Sequence, residues 1–140
     1  MIIGSDLDGT ITLVPFNNTQ IHLPWFLAIW MAFMPPNMRM VKTLRRRQAR
    51  GDKIIIVSSR PWQLKGLSAW QLKLFRVPFS DLVLVGVGGD PAAKKLSVIR
   101  QRRIEVYIDD YELVRQGLKE RGFASVFSPQ EFLLKERKEA

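Results

Sequence analysis

The chain opens MIIGSDLDGT (residues 1–10): a few strand-forming residues run straight into Asp6 and Asp8, spaced by one leucine, and then Gly9 and Thr10. In a chain whose formal charge is +9, two of the 13 acids thus stand at the tip of the first strand. An open parallel sheet presents its ligands there, outside the carboxyl ends of its strands. Similar runs recur. KIIIVSS (53–59), DLVLVGVG (81–88), IEVYIDD (104–110) and FASVF (123–127) are apolar enough to be buried on both faces, as parallel strands are.

Helical stretches fall between these runs. Asn37 to Arg50 follows Pro35 and Pro36, stops at Gly51, and sets Met38, Val41, Leu44 and Ala49 on one face and Lys42, Arg45, Arg46, Arg47 and Arg50 on the other. Trp62 to Arg76 carries Leu64, Leu67, Trp70, Leu74 and Phe75 at near-helical spacing. Ala92 to Gln101 and Glu112 to Arg121 follow, the latter stopped by Gly122, and the tail from Pro129 makes a last short helix. Strand–helix alternation of this kind predicts an α/β, three-layer, doubly wound parallel sheet of about five strands.

With 140 residues and 46% hydrophobic content, residues 1–140 read as a single domain with one core, and neither a repeat nor a linker divides them. The absence of cysteine excludes disulfides, thiolate metal sites and cysteine catalysis. A lone His22, beside Leu23 and Pro24, reads as structural. The N-terminus has no basic n-region and no long apolar stretch, so the expected location is cytoplasmic. A pI near 10.4 favours a polyanionic partner, either nucleic acid or an anionic membrane surface.

One segment breaks the alternation. IHLPWFLAIWMAFMPP (21–36) is rich in Trp, Phe, Met and Leu but short of the roughly 20 residues needed to span a bilayer. It reads either as a hydrophobic helix on the core or as a lid or interfacial patch beside the site. In the latter case Trp25, Phe26, Trp30 and Phe33 could make a peripheral membrane contact, and an exposed aromatic segment would also suit a homo-oligomer.

Chemistry-bearing residues gather at the strand ends. Asp6 and Asp8 end the first run, Ser58, Ser59 and Arg60 the second, and Asp109 and Asp110 the fourth, with Lys94 and Lys95 on the helix before it. Four crowded carboxylates repel one another unless a cation offsets them. A hard divalent ion such as Mg²⁺ meets that need and also neutralises a phosphate. These parts suit phosphoryl transfer through an aspartate nucleophile.

The same residues resemble the haloacid dehalogenase (HAD) superfamily. Asp6-Leu7-Asp8-Gly9-Thr10 is similar to its motif I, Ser58 in IIIVSSR to motif II, Lys95 to motif III and VYIDD to motif IV, a resemblance that runs from residue 1 to about 127. D-x-D-G-T arises by chance in about one chain in a thousand of this length, at roughly 5–7% per residue. The resemblance implies a HAD-like Rossmannoid fold and a Mg²⁺-dependent phosphohydrolase working through an aspartyl-phosphate. Asp6 would be the nucleophile and Asp8 the general acid and base. Ser58 and Lys95 would hold the phosphoryl group, with Thr10, Ser59 and Arg60 near substrate. Asp6, Asp109 and Asp110 would hold Mg²⁺ together with the Asp8 backbone carbonyl. Lys95 is preferred over Lys94 because it stands 14 residues before Asp109.

Family members are sorted by inserted cap domains. Residues 11–36 leave room only for a flap and the short aromatic insert, and one helix and one strand separate Ser58 from Lys95, so no full cap is expected. An uncapped site suits a large substrate that closes it, such as a nucleotide or a nucleic-acid phosphate end. A membrane-associated or small phosphoester is the alternative. A reading of another class, a non-catalytic HAD-fold binding module, predicts loss of Asp6, Asp8 or the Asp109-Asp110 pair, and all are present. A phospho-receiver domain would place its acidic pair first, and here the pair comes last.

Overall fold

The computed structural model describes residues 1–13 and 33–139. Most of the 11–36 insert, with His22, Trp25, Phe26 and Trp30, therefore lies outside the described residues. The elements run β1 (Ile2–Ser5), α1 (Met38–Ala49), β2 (Lys53–Ser58), a 3₁₀ turn (Trp62–Leu64), α2 (Lys65–Leu74), β3 (Asp81–Leu84), α3 (Pro91–Gln101), β4 (Val106–Ile108), α4 (Glu112–Glu120), β5 (Val126–Phe127) and α5 (Pro129–Glu139). The five strands form one parallel sheet in the order β3-β2-β1-β4-β5. From β1 the chain steps outward to β3, then returns across the sheet to β4 and β5. Strand order therefore reverses between β1 and β4, which is where such sheets bind ligands.

Alternation along each strand builds three layers. On one face Ile3, Ile54, Ile56, Leu82, Val106 and Ile108 pack with Met40, Val41 and Leu44 of α1, Leu72 of α2 and Phe132 of α5. On the other, Ile55, Val57, Tyr107 and Val126 pack with Leu96 and Ile99 of α3 and Val114 and Leu118 of α4. Each fully buried aliphatic side chain contributes roughly 1.5–3 kcal/mol by leaving water. Gly4 belongs to the second face. A Cβ there would lie 2.8 Å from Tyr107 Cδ1 and 2.9 Å from Ile104 Cδ1, so glycine makes room for the Tyr107 ring.

Several element boundaries differ from the sequence expectation. The 81–88 run forms ladder only over Asp81–Leu84, because Gly86, Gly88 and Gly89 turn the chain with positive φ. The 104–110 run pairs only over Val106–Ile108, and the 123–127 run only over Val126–Phe127. Apolar residues report burial, and Ile104 is buried without belonging to a strand. The helix expected over 62–76 begins with a 3₁₀ turn after Pro61 and ends at Leu74, and the tail helix runs a full 11 residues.

Helix faces are also rotated relative to expectation. Met38 is exposed and Met40 takes its place in the core; Trp70 and Leu74 are exposed, whereas Ser68 and Gln71 are buried. The turn after β1 is tied to the start of α1. Asn37 N donates to Ile11 O (2.6 Å), Asn37 Nδ2 to Thr10 O (3.3 Å), and Leu13 N to Pro35 O (2.8 Å). The Asn37 side chain also caps α1, accepting from Met40 N.

Candidate active site

Two adjacent strands deliver the acids. Asp6 follows β1 and continues its ladder, its N–H donating to Ile108 O at 2.8 Å. Asp109 follows β4, its N–H donating to Phe127 O at 3.0 Å. Beyond Asp6 the chain turns tightly around Leu7 O, which accepts from the N–H groups of Thr10, Ile11 and Thr12. Gly9 sits in this turn at φ +80, and a Cβ on it would lie 2.6 Å from Asp110 Cγ. Both the conformation and the neighbouring carboxylate demand glycine.

Lys95 reaches this centre from an unexpected surface. Asp90 caps α3, accepting from Ala92 N and Ala93 N, and Ala92, Lys95, Leu96 and Ile99 at helical spacing form the buried stripe. A lysine on a core stripe needs charge partners. Lys95 Nζ donates to Asp109 Oδ2 at 2.7 Å and to Asp6 Oδ1 at 3.2 Å, and stands 5.9 Å from the centre of the Tyr107 ring. Burial works against its ammonium, but Asp109 and Asp6 more than offset this and hold its pKa well above the ordinary lysine value. Lys94 is only half-buried and packs against Gly89.

Three carboxylates share that single ammonium. One oxygen each from Asp6, Asp109 and Asp110 lies within 4.8 Å of the others. Burial, and then the charge of Asp109, raise the Asp6 carboxyl well above the usual range despite Lys95. The same two causes push Asp110 up to about 6. Asp110 Oδ1 is buried with no hydrogen-bond partner among the described residues. An orphaned carboxylate oxygen, an excess of two negative charges and an all-oxygen donor set fit a hard divalent cation. Asp8 contributes no side-chain oxygen to this cluster.

The Asp8 carboxylate turns instead to Arg60. Arg60 Nη2 donates to Asp8 Oδ1 at 2.7 Å and Nε to Oδ2 at 2.9 Å, a bidentate pair that is almost wholly buried. Its remaining Nη1 donates to Ser68 Oγ at 2.9 Å, and Thr12 Oγ1 donates to Asp8 Oδ1 at 3.3 Å. Ser58, the last residue of β2, is fully buried, and its Oγ accepts from Arg60 N at 3.1 Å. Ser59 is half-buried, and Thr10 is buried with its Oγ1 unpartnered among the described residues.

Sequence reasoning passed over the residues that brace these groups. Ser68 is one of them: its Oγ accepts from Arg60 Nη1. Its signal was position: Leu64, Ser68, Gln71 and Leu72 make the buried face of the α2 segment, and a small polar residue on such a face has a partner. Arg115 Nη1 donates to Asp109 O at 2.8 Å and Tyr111 N to Asp109 Oδ1 at 3.0 Å, fixing that carboxylate after the strand ends. Tyr107, whose hydroxyl donates to Val57 O at 3.4 Å, walls the lysine from below.

No family model matches the chain, and no curated protein sequence does. Solved structures share its fold. A chain in the structure of a Pnkp1/Rnl/Hen1 complex superposes with a TM-score of 0.75 at 16% identity over 90% of this chain and 44% of that one. The present chain thus spans less than half the length of that neighbour. The D,D-heptose 1.7-bisphosphate phosphatase from B. bronchiseptica, complexed with magnesium and phosphate, gives a TM-score of 0.62 at 9% identity over 99% of both chains. The HAD domain of the effector protein Lem4 from Legionella pneumophila gives 0.59 at 16% identity over 99% of this chain and 92% of that one. At these identities the likeness is one of fold: this is the α/β architecture of HAD domains.

Proposed function

We propose that the chain is a phosphohydrolase that uses Asp6 as nucleophile. The observation that carries this reading is the Asp6–Lys95–Asp109 chain of contacts beside the orphaned Asp110 oxygen. A carboxylate is held at a strand tip by an ammonium, next to a cluster suited to a divalent cation. The HAD-type fold of the neighbours, one of them solved with magnesium and phosphate, supports it.

In this reading an Asp6 oxygen attacks phosphorus in line, the bond from phosphorus to the leaving oxygen breaks, and Asp8 supplies the proton that the leaving oxygen takes up. Water then attacks the phosphorus of the aspartyl-phosphate, Asp8 accepts its proton, and orthophosphate departs with the Asp6 carboxylate restored. Lys95 orients Asp6 and neutralises a phosphoryl oxygen, while the Ser58 hydroxyl donates to another and Ser59 and Thr10 flank it. Asp6, Asp109 and Asp110, with the Asp8 carbonyl, would hold Mg²⁺, which draws charge from the phosphoryl group. The Asp8 oxygens that must carry a proton are the ones Arg60 grips. Transfer of Arg60 from Asp8 to an arriving phosphate frees them, which makes Arg60 both a substrate ligand and a timer for the acid.

The substrate class favoured is a nucleotide or nucleic-acid phosphate end. The neighbour with the highest of these TM-scores belongs to a complex that a second structure describes as an RNA repair complex. A small phosphoester is the second reading, favoured by a neighbour of matching length that is named as a sugar bisphosphate phosphatase. Among the described residues no helix is long and apolar enough to cross a membrane. The membrane contact proposed for 21–36 falls mainly on residues outside those described. The test is Mg²⁺-dependent phosphate release from p-nitrophenyl phosphate, with Asp6→Asn as control. Equal rates for the two proteins would refute catalysis and leave a binding module. A screen over phosphorylated oligonucleotides, nucleotides and sugar phosphates then ranks the substrates.

A further inference from the structure

Helices α1 and α5 enclose an open groove of about 730 Å³ on the layer opposite α3 and α4. Arg39, Lys42, Arg45 and Arg46 line one wall, and Arg137 the other, above Leu133. The one acid among the lining residues is Glu136, and Arg47 engages it at 3.3 Å. Arg45 is committed too, donating to the carbonyls of Arg76 (2.8 Å) and Phe75 (2.9 Å) at the end of α2. This leaves Arg39, Lys42, Arg46 and Arg137 exposed, with no carboxylate partner among the described residues. Like charges concentrated in one concavity repel and do nothing for the fold, but they concentrate a polyanion.

The groove has a direction. Arg39, Lys42 and Arg46 recur at helical spacing along one stripe, and seven residues of helix cover about 10 Å. That is three base steps of a nucleic-acid strand at about 3.4 Å each. Both helices start at the carboxyl edge of the sheet. Asn37, which caps α1, is bonded to Thr10 O and Ile11 O, and α5 follows Phe127, whose carbonyl accepts from Asp109 N. The groove therefore leads away from the edge that carries Asp6 and Asp109.

We propose that this groove holds the sugar–phosphate backbone of a nucleic-acid strand whose phosphorylated end lies at Asp6. The placing of the end rests on the phosphohydrolase reading; the binding of the strand does not. Concavity separates a strand from a bilayer, since a flat membrane meets the rims of a groove and not its interior. Three of the four cations without a carboxylate partner are arginines, whose forked donors grip phosphate oxygens in pairs, and Arg46 also donates to Thr43 Oγ1 at 3.2 Å.

The experiment measures fluorescence anisotropy of a labelled single-stranded oligonucleotide with Asp6→Asn protein, alone and combined with Arg39→Gln, Lys42→Gln and Arg137→Gln. The expected result is at least a tenfold loss of affinity in the groove variant. The salt slope should also fall by about 2, at roughly 0.7 for each phosphate contact removed. Arg39→Lys with Arg137→Lys retains most of the binding. In protein with Asp6 intact, the groove variant raises KM for a phosphorylated oligonucleotide and leaves turnover of p-nitrophenyl phosphate unchanged. Undiminished oligonucleotide binding by the groove variant overturns the proposal, as does preferential binding of the parent to phosphatidylglycerol vesicles. If Asp6-intact protein is inactive but strand binding still depends on the groove, the reaction assignment falls and the groove assignment stands.

Discussion

Asp6 and Asp8 stand two residues apart in opposite electrostatic circumstances. Asp8 meets Arg60 one to one, with both carboxylate oxygens and three guanidinium nitrogens in use. Asp6 shares one ammonium with Asp109, and Asp110 beside them holds a buried oxygen with no hydrogen-bond partner among the described residues. The first arrangement is complete in the protein alone and braces the turn. The second gathers three carboxylates around one ammonium, a cluster that a divalent cation could complete.

The largest effect that breaks this contrast is on turnover. Asp6→Asn should lower Mg²⁺-dependent phosphate release by about 10⁴-fold or more, equivalent to about 5.5 kcal/mol. Because the substitution removes one charge from an overcrowded cluster, its metal-free melting temperature should equal or exceed that of the parent. A lower value would show that the ion pair of Asp6 with Lys95 stabilises the fold, as the Asp8–Arg60 pair does.

Arg60→Gln should do the reverse to stability. It strands a buried Asp8 charge and the Ser68 hydroxyl, and urea titration should show a loss of about 3–5 kcal/mol. A loss below about 1 kcal/mol would mean that the pair is dispensable.

The third test is pH. Asp110 has a folded pKa of about 6, above the ordinary value near 3.9, and Asp6 is raised as well. A raised folded pKa contributes stability that is full below the unfolded value and lost as pH rises through the folded one. Protein in EDTA should therefore lose melting temperature as pH climbs from about 4 through about 6, and Asp110→Asn should flatten that slope. Added Mg²⁺ should stabilise more at neutral pH than at pH 5, because its ligands must be deprotonated. A metal increment that is independent of pH would count against the cluster as a cation site.

The smallest effect tests the wall beneath Lys95. Tyr107→Phe keeps the ring under the ammonium and removes the hydroxyl, with its long contact to Val57 O and its interaction with Lys95. Chemical denaturation should show a cost of about 1 kcal/mol or less.

The parallel sheet was legible because its strands are continuous apolar runs, Asp6 and Asp109 because they stand at strand ends, and Lys95, on α3, only through the family resemblance and its spacing to Asp109. Helix faces were less legible. Trp70 and Leu74 read as core by composition, yet Ser68 and Gln71 hold the buried face, since Arg60 and the loop at Met34 offer them polar partners that no periodicity reveals. Strand ends were overrun because burial extends past the hydrogen-bonded ladder, as at Ile104. Arg60 was equally readable as a substrate ligand or a brace, because a guanidinium suits both; its bidentate hold on Asp8 is the contact that the sequence did not reveal.

The chain leaves the sheet's edge at Leu13 and comes back at Pro35, and these two positions are fastened side by side by the Leu13–Pro35 hydrogen bond and the Thr12–Pro36 bridge. Fastened ends make the intervening stretch an exchangeable cassette. Doubling the length of a closed loop adds only about 0.6 kcal/mol of closure cost. Insertions or exchanges between residues 13 and 35 should therefore leave the turn at Leu7 and the start of α1 in place.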